Sequence, residues 1–193
     1  MSLATATPSI ASSRPPVAND VGTLTTAAQA AGVSKKEYGN GVLRQTLITL
    51  SNTAITVTDT GGANGGYGSL QLLDLPAGHV VFVGAVSNFT SIAAASGIGA
   101  TAAVKHSVGT AAEATNDTLD STQANILPST SVTLAASAGT GGGVNTAVAF
   151  VDGTSTANDV FLNIGVADAG ISANSSVTIS GTILVTWALL GDK

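Results

Sequence analysis

The strongest pattern in this chain is the alternation that ends it. Val177, Ile179, Gly181, Ile183, Val185, Trp187 and Leu189 fall at every second position, with Thr178, Ser180, Thr182, Leu184, Thr186, Ala188 and Leu190 between them. A period of two is that of a β-strand, whose successive side chains point to opposite faces. The first set therefore predicts a core face and the second a mostly hydroxylated one. Strands this long seldom run straight, and Gly181 predicts a bend or bulge. Val160, Leu162, Ile164 and Val166 repeat the pattern, as do Ile55 with Val57, Val132 with Leu134, and Val104 with Val108. The run from Val80 to Val86 is apolar at every position but two small ones, which predicts a central strand buried on both sides. Val42 to Leu50, Tyr67 to Leu75 and Val144 to Val151 are further strand candidates.

Turn signals separate these runs: Gly61 to Gly66, Pro76-Ala-Gly78, Asn116-Asp117, Gly139 to Asn145, Asp152-Gly153 and Ala169-Gly170. About eight or nine strands, with no helix-length periodic segment among them, predict an all-β protein built as an antiparallel β-sandwich. Strand number and long connections favour a jelly roll, with an immunoglobulin-like sandwich second. The body is placed at residues 42–193.

Residues 1–41 read differently. They contain Pro8, Pro15 and Pro16 and almost no alternating apolar positions, which predicts an extended N-terminal arm. Charge follows the same division. Residues 1–44 carry Arg14, Lys35, Lys36 and Arg44 against Asp20 and Glu37, a net of +2; residues 45–193 carry Lys105 and Lys193 against nine acids, a net of −7. A basic arm on an acidic body suits docking onto another surface. Arg14, Pro15, Pro16, Lys35, Lys36 and Tyr38 are the arm residues expected to make partner contacts.

Composition narrows the chemistry. Ala, Thr, Gly and Ser supply 101 of the 193 residues, and 9% are charged. Threonine suits the pleat through its β-branch, but alanine and glycine bury little apolar area, so the core is modest for its length. Such a sandwich gains stability by burying a face or an edge against partners. With no cysteine, disulfides, thiolate metal sites and cysteine nucleophiles are excluded. Mean hydropathy is +0.41, yet no apolar run reaches the ~20 residues of a spanning helix. The start, Met1 to Pro8, lacks the positive stretch of a signal peptide. Four cations over 44 residues are too few for a nucleic-acid surface. Neither nucleic acid nor membrane is an expected partner.

Catalytic candidates are few. His79 and His106 are the two histidines, and no Gly-x-Ser-x-Gly elbow accompanies them. His106 lies on the face of Val104 and Val108, and both histidines are expected to be structural, without an acid and a nucleophile at hydrogen-bonding distance. Neither has the spacing of a metal pair. Asp59, Asp117, Asp120, Asp152, Asp159 and Asp168 sit in or beside turns, where aspartate bonds the local backbone. The calcium-loop pattern is absent. Gly139-Thr-Gly-Gly-Gly143 is followed by strand-like residues and no lysine, so it reads as a flexible loop and not a phosphate cradle. With 4% aromatic residues, a sugar-stacking cleft is weakly supported, and Trp187 is expected in the core. No enzyme activity, cofactor or metal is expected.

Phrasing in the C-terminal half resembles a known class. His106-Ser-Val-Gly-Thr110, Leu119-Asp-Ser-Thr-Gln-Ala-Asn-Ile-Leu-Pro-Ser-Thr130, Val160-Phe-Leu-Asn-Ile-Gly-Val166 and the ending Ile179 to Asp192 follow a proline-containing arm and a Gly/Ala/Thr/Ser-rich β body. This resembles the capsid cement or decoration proteins of tailed bacteriophages. The resemblance implies a jelly-roll-like virion protein, made in the host cytoplasm and seated on the outside of an icosahedral head. There it would clamp neighbouring major capsid subunits, with copies of itself, as a trimer or other homo-oligomer, as further partners. The alternative is a binding module, such as a phage fibre tip or a carbohydrate-binding sandwich.

Overall fold

Ten antiparallel strands follow one another along the chain: β1 (Val33–Asn40), β2 (Leu43–Asp59), β3 (Gly66–Asp74), β4 (Gly78–Ala94), β5 (Ala103–Gly109), β6 (Leu127–Thr133), β7 (Ala138–Asn145), β8 (Ala149–Gly153), β9 (Asp159–Val166) and β10 (Ser175–Gly191). They come from a computed structural model that describes residues 30–40, 42–155 and 158–191. Among these residues three single 3-10 turns are the only helical segments.

The strands form two sheets. The first runs β1-β2-β10-β4, with β7 and β8 both pairing the far edge of β4; the second runs β3-β9-β5-β6. β7 and β8 take successive stretches of β4, Ala85–Ala93 and Gly78–Phe82, so together they act as one broken strand. Setting β1 aside, eight strand positions remain. In chain order the first sheet holds the first, eighth, third and sixth, and the second holds the second, seventh, fourth and fifth. That interleaving is the jelly roll, two Greek keys wound together. The β-sandwich expected from the alternation is therefore present. β2 passes from one sheet to the other, pairing β10 along most of its length and β3 through Thr58 and Asp59. On the opposite side β6 and β7 lie together, which nearly closes the sandwich into a barrel.

β10 is the spine of the first sheet. Val177, Ile179, Ile183, Val185 and Trp187 are fully buried, as the alternation predicted, and Leu190 points to solvent. Gly181 sits at a register shift against both β2 and β4 with φ of +146°. A Cβ there would press into the backbone of Asn88 and Phe89, so glycine alone fits the bulge. Trp187 keeps its polar handle satisfied: its Nε1–H donates to the buried Thr46 Oγ1 at 3.0 Å. The Arg44 guanidinium lies 5.4 Å from the ring centre and pairs with Glu37 at 2.7 Å. From the second sheet, Val160, Leu162, Ile164, Val166, Val104 and Val108 face this row and are fully buried.

Three expectations need correction. Val80–Val86 lies in a central strand, but one face alone is buried. Val80, Phe82 and Ala85 point inward, whereas Val83 and Val86 are exposed. The run Gly139–Gly143 is not a flexible loop; it is strand β7, and the strand expected over Val144–Val151 is instead interrupted between β7 and β8. Glycine is used there for close approach. A Cβ on Gly139 would stand 2.7 Å from Val132 Cγ1, and one on Gly141 would overlap Val132 Cγ2. Bare backbone lets β6 and β7 close the sandwich. Finally, the boundary at 41/42 falls inside a β-hairpin. Val33–Asn40, assigned to the arm, is β1 and pairs residue for residue with Leu50–Leu43. Its inward positions include Lys35, Glu37 and Gly39, so it lacks the apolar alternation that would have marked it. Residues 1–29 of the expected arm lie outside the described residues.

The seam gives a direct test. Gly141→Ala should destabilise the protein by about 1–3 kcal/mol through overpacking. Val132→Ala in the same chain should recover part of that loss, read as a non-additive double-mutant cycle in urea unfolding.

Candidate partner-binding face

Register fixes which residues share the outer face of the first sheet, because directly paired residues of antiparallel strands point the same way. One row across the strands is Phe150, Val81, Ala188 and Leu43. The next is Gly84, Thr186, Gln45 and Tyr38. The third is Val144, Val86, Leu184 and Leu47, ending on Lys36. Two apolar rows thus flank one mixed row, in which Gln45 Nε2–H donates to Thr186 Oγ1 at 3.4 Å. The fourth row, Gly142, Asn88, Thr182, Thr49 and Ser34, is polar and bounds the patch.

All nine large apolar residues that stand exposed among the described residues lie on this face or its margins: Tyr38, Val42, Leu43, Val83, Val86, Val144, Val148, Phe150 and Leu190, at 42–67% exposure. Single exposed apolar side chains are ordinary, but a contiguous group marks an interaction surface. Charge is distributed the opposite way. Of the nine described acids, Asp59, Asp74, Glu113, Asp117, Asp120, Asp159 and Asp168 sit on the second sheet or the segments that join or cover it. Glu37 is held by Arg44, and Asp152 lies at the margin of the patch.

The second sheet hides its outer face instead. The 110–126 connection lies across it and is tied down by Asn163 and Glu113. Asn163 Oδ1 accepts from Ser69 Oγ–H at 2.6 Å and from the Glu113 amide at 2.9 Å, while its Nδ2 donates to the carbonyls of Ala111 and Gln123, both at 2.9 Å. Glu113 Oε1 in turn accepts from the amides of Ala114, Thr115 and Asn116 and from the Thr115 hydroxyl. Lys105 Nζ reaches Asp117 Oδ2 at 2.6 Å. No buried side-chain polar atom of this strap lacks a partner, so it rigidifies the sheet. No motif in the sequence singles out Asn163 or Glu113; both are lone polar residues whose partners are distant in the chain.

The histidines diverge. His106 is fully buried between the sheets, its ring edge-on to Phe89 with centroids 4.9 Å apart, and neither nitrogen has a hydrogen-bond partner. Burial lowers its pKa to about 4. His79 is half-buried with an acid beside it: Nδ1 is 3.4 Å from Asp152 Oδ1 across the β4–β8 pair but makes no hydrogen bond. That oxygen already accepts from the Thr154 hydroxyl at 2.7 Å and amide at 3.0 Å, which with the smaller pull of His79 holds the carboxyl below its usual range. The acid stands between hydroxyl and imidazole. A hydrolytic triad needs the imidazole in the middle, as the base on the hydroxyl. Asp159 pairs across strands with Asp74; its carboxyl is pushed up by burial and then by the Asp74 charge. Among the described residues no three His, Asp or Glu side chains are grouped to hold a metal ion, and no helix is long and apolar enough to cross a membrane.

Of the six expected partner residues, Arg14, Pro15 and Pro16 lie outside the described residues. Lys35, Lys36 and Tyr38 are on β1. Lys35 points inward, its pKa lowered by burial against an opposing pull from Asp74. Lys36 and Tyr38 point outward on the apolar face, with the ammonium 5.2 Å from the ring centre. Sequence reasoning missed the remainder of the face, because Val81, Val83 and Val86 read as core. No family model matches the chain, and no curated protein matches it.

His106 makes stability depend on pH. Below pH 6.5 the unfolded imidazole takes a proton that the folded one refuses down to about 4. The fold therefore keeps its full stability above pH 6.5 and loses it as the pH falls toward 4, by about 2 kcal/mol between pH 7 and 5. His106→Leu should remove that slope relative to the parent chain, measured by urea unfolding at each pH.

Proposed function

We propose that this chain is a structural protein of a tailed-phage virion, binding the outer surface of an icosahedral capsid and stabilising it. The observation that carries the reading is the division of the surface: exposed large apolar side chains are gathered on one neutral sheet face, and most acids are on the other side. A β body organised this way is built for an assembly, with one face given to contact with another protein surface and the acidic side left to water. The resemblance of residues 100–193 to cement proteins supplies the virion. The jelly roll is compatible with it but by itself implies no function.

Attachment in this reading combines the edges of the sheets with residues 1–29, where Arg14, Pro15 and Pro16 fall. Many weak contacts repeated over a shell give strong attachment through effective concentration. β1 belongs to the body, so Lys35 and Lys36 act from the sheet.

The test uses heads of the phage that encodes the chain, stripped of it. The protein should co-sediment with them to saturation and raise the temperature at which they release DNA. Removing residues 1–29 should weaken binding more than Arg14→Glu does, since an exposed ion pair contributes only ~0–1 kcal/mol. Heads that neither bind the protein nor gain heat resistance would refute the reading.

A further inference from the structure

We infer that the apolar face of the first sheet is covered by a second copy of this chain, packed face to face about a two-fold axis. This goes beyond the capsid reading, which leaves open what contacts the face.

Size comes first. The nine exposed large apolar residues together present on the order of 800 Å², about what one partner contributes to a stable interface of standard size. Monomers seldom leave that much contiguous apolar surface in water. Chemistry narrows the occupant. A two-fold contact sets the same patch against itself, so a charge within it would be buried without an opposite charge unless the patch itself supplied one. The three outer rows hold no charged side chain except Lys36, at the β1 edge. An acidic or basic partner would find little to pair with, whereas a copy meets valine, leucine and phenylalanine with the same. Of the polar side chains between the apolar rows, Gln45 and Thr186 bond each other at 3.4 Å, which offsets part of the cost of removing them from water.

Shape agrees. The patch spans the sheet from β1 to β7 and β8, with one register shift between β10 and β4 at Thr186 and Trp187, and sheet faces stack at about 10 Å with interdigitating side chains. Burying it this way leaves the acids of both copies on the outside, where mutual repulsion is screened.

The full-length chain, purified alone at micromolar concentration, should sediment at twice its monomer mass. Val86→Glu with Val144→Glu places two charges in the third row; both positions are solvent-facing in the single chain, so the far-ultraviolet circular dichroism spectrum should be unchanged. The dimer dissociation constant should rise by at least about a hundredfold, because each charge would be buried unpaired. Thr182→Glu, on the polar row outside the patch, should leave the dimer intact. A full-length chain that stays monomeric overturns the inference and assigns the face to residues 1–29 or to a foreign partner. An oligomer insensitive to the Val86 and Val144 charges overturns it too, by placing the contact elsewhere. Either result leaves the capsid reading standing if the protein still binds heads.

Discussion

Everything in this fold rests on β10 lying between β2 and β4. Ala188 pairs with Leu43 and Val177 with Ile55 on one side, while Leu184 meets Val86 on the other. These pairings join the last described strand to strands more than a hundred residues earlier at one end. They carry the fully buried row from Val177 to Trp187 that faces the second sheet. A chain rich in alanine, glycine, serine and threonine has few large side chains with which to build a core. Concentrating them on one long central strand, flanked on both sides, lets each bury its whole apolar surface. The loop entropy of such distant pairing is offset only when the row is complete, which makes the sandwich a cooperative unit.

The same economy explains the unequal treatment of the two outer faces. The second sheet is covered by its own chain, through the 110–126 connection and the side-chain network of Asn163 and Glu113. The first sheet has no such strap among the described residues. Instead it carries the two apolar rows, from Phe150 to Leu43 and from Val144 to Leu47. A polar network fixes one face from within, since the bonds of Asn163 and Glu113 are made inside the molecule. An apolar face is satisfied only by contact with something else.

What the sequence revealed follows from where the signal is local. The alternation of Val177 to Leu189 needs no knowledge of partners, and it identified the strand, its inward face and the bulge at Gly181. Val160 to Val166 did the same for β9. Val81, Val83 and Val86 were misread because hydrophobicity reports a preference for leaving water and does not say into what; a side chain bound for a partner looks like one bound for the core. β1 was hidden because its inward positions carry Lys35, Glu37 and Gly39, set over the sheet margin near Asp74 and Arg44. The glycines of β7 read as a loop because the reason for them, the methyls of Val132, sits in another strand. Asn163 and Glu113 are ordinary residues until the fold brings Ser69, Ala111 and Gln123 to them.

The β6–β7 seam has a consequence for how the molecule breathes. Between neighbouring strands within each sheet a row of backbone hydrogen bonds must break together before solvent enters. At this seam, between the bridge of Ala135 and Ala138 at the hairpin end and the Asn145 Nδ2 to Ile126 carbonyl bond at the other, valine methyls rest on glycine backbone with no ladder between the strands. Separation there costs contact area but no array of bonds. The sandwich accordingly has a hinge-like mouth, and local opening begins at β6 and β7 while β10, bonded along both edges, is reached last. Amide protons would exchange in that order, giving the protein a soft side and a hard one.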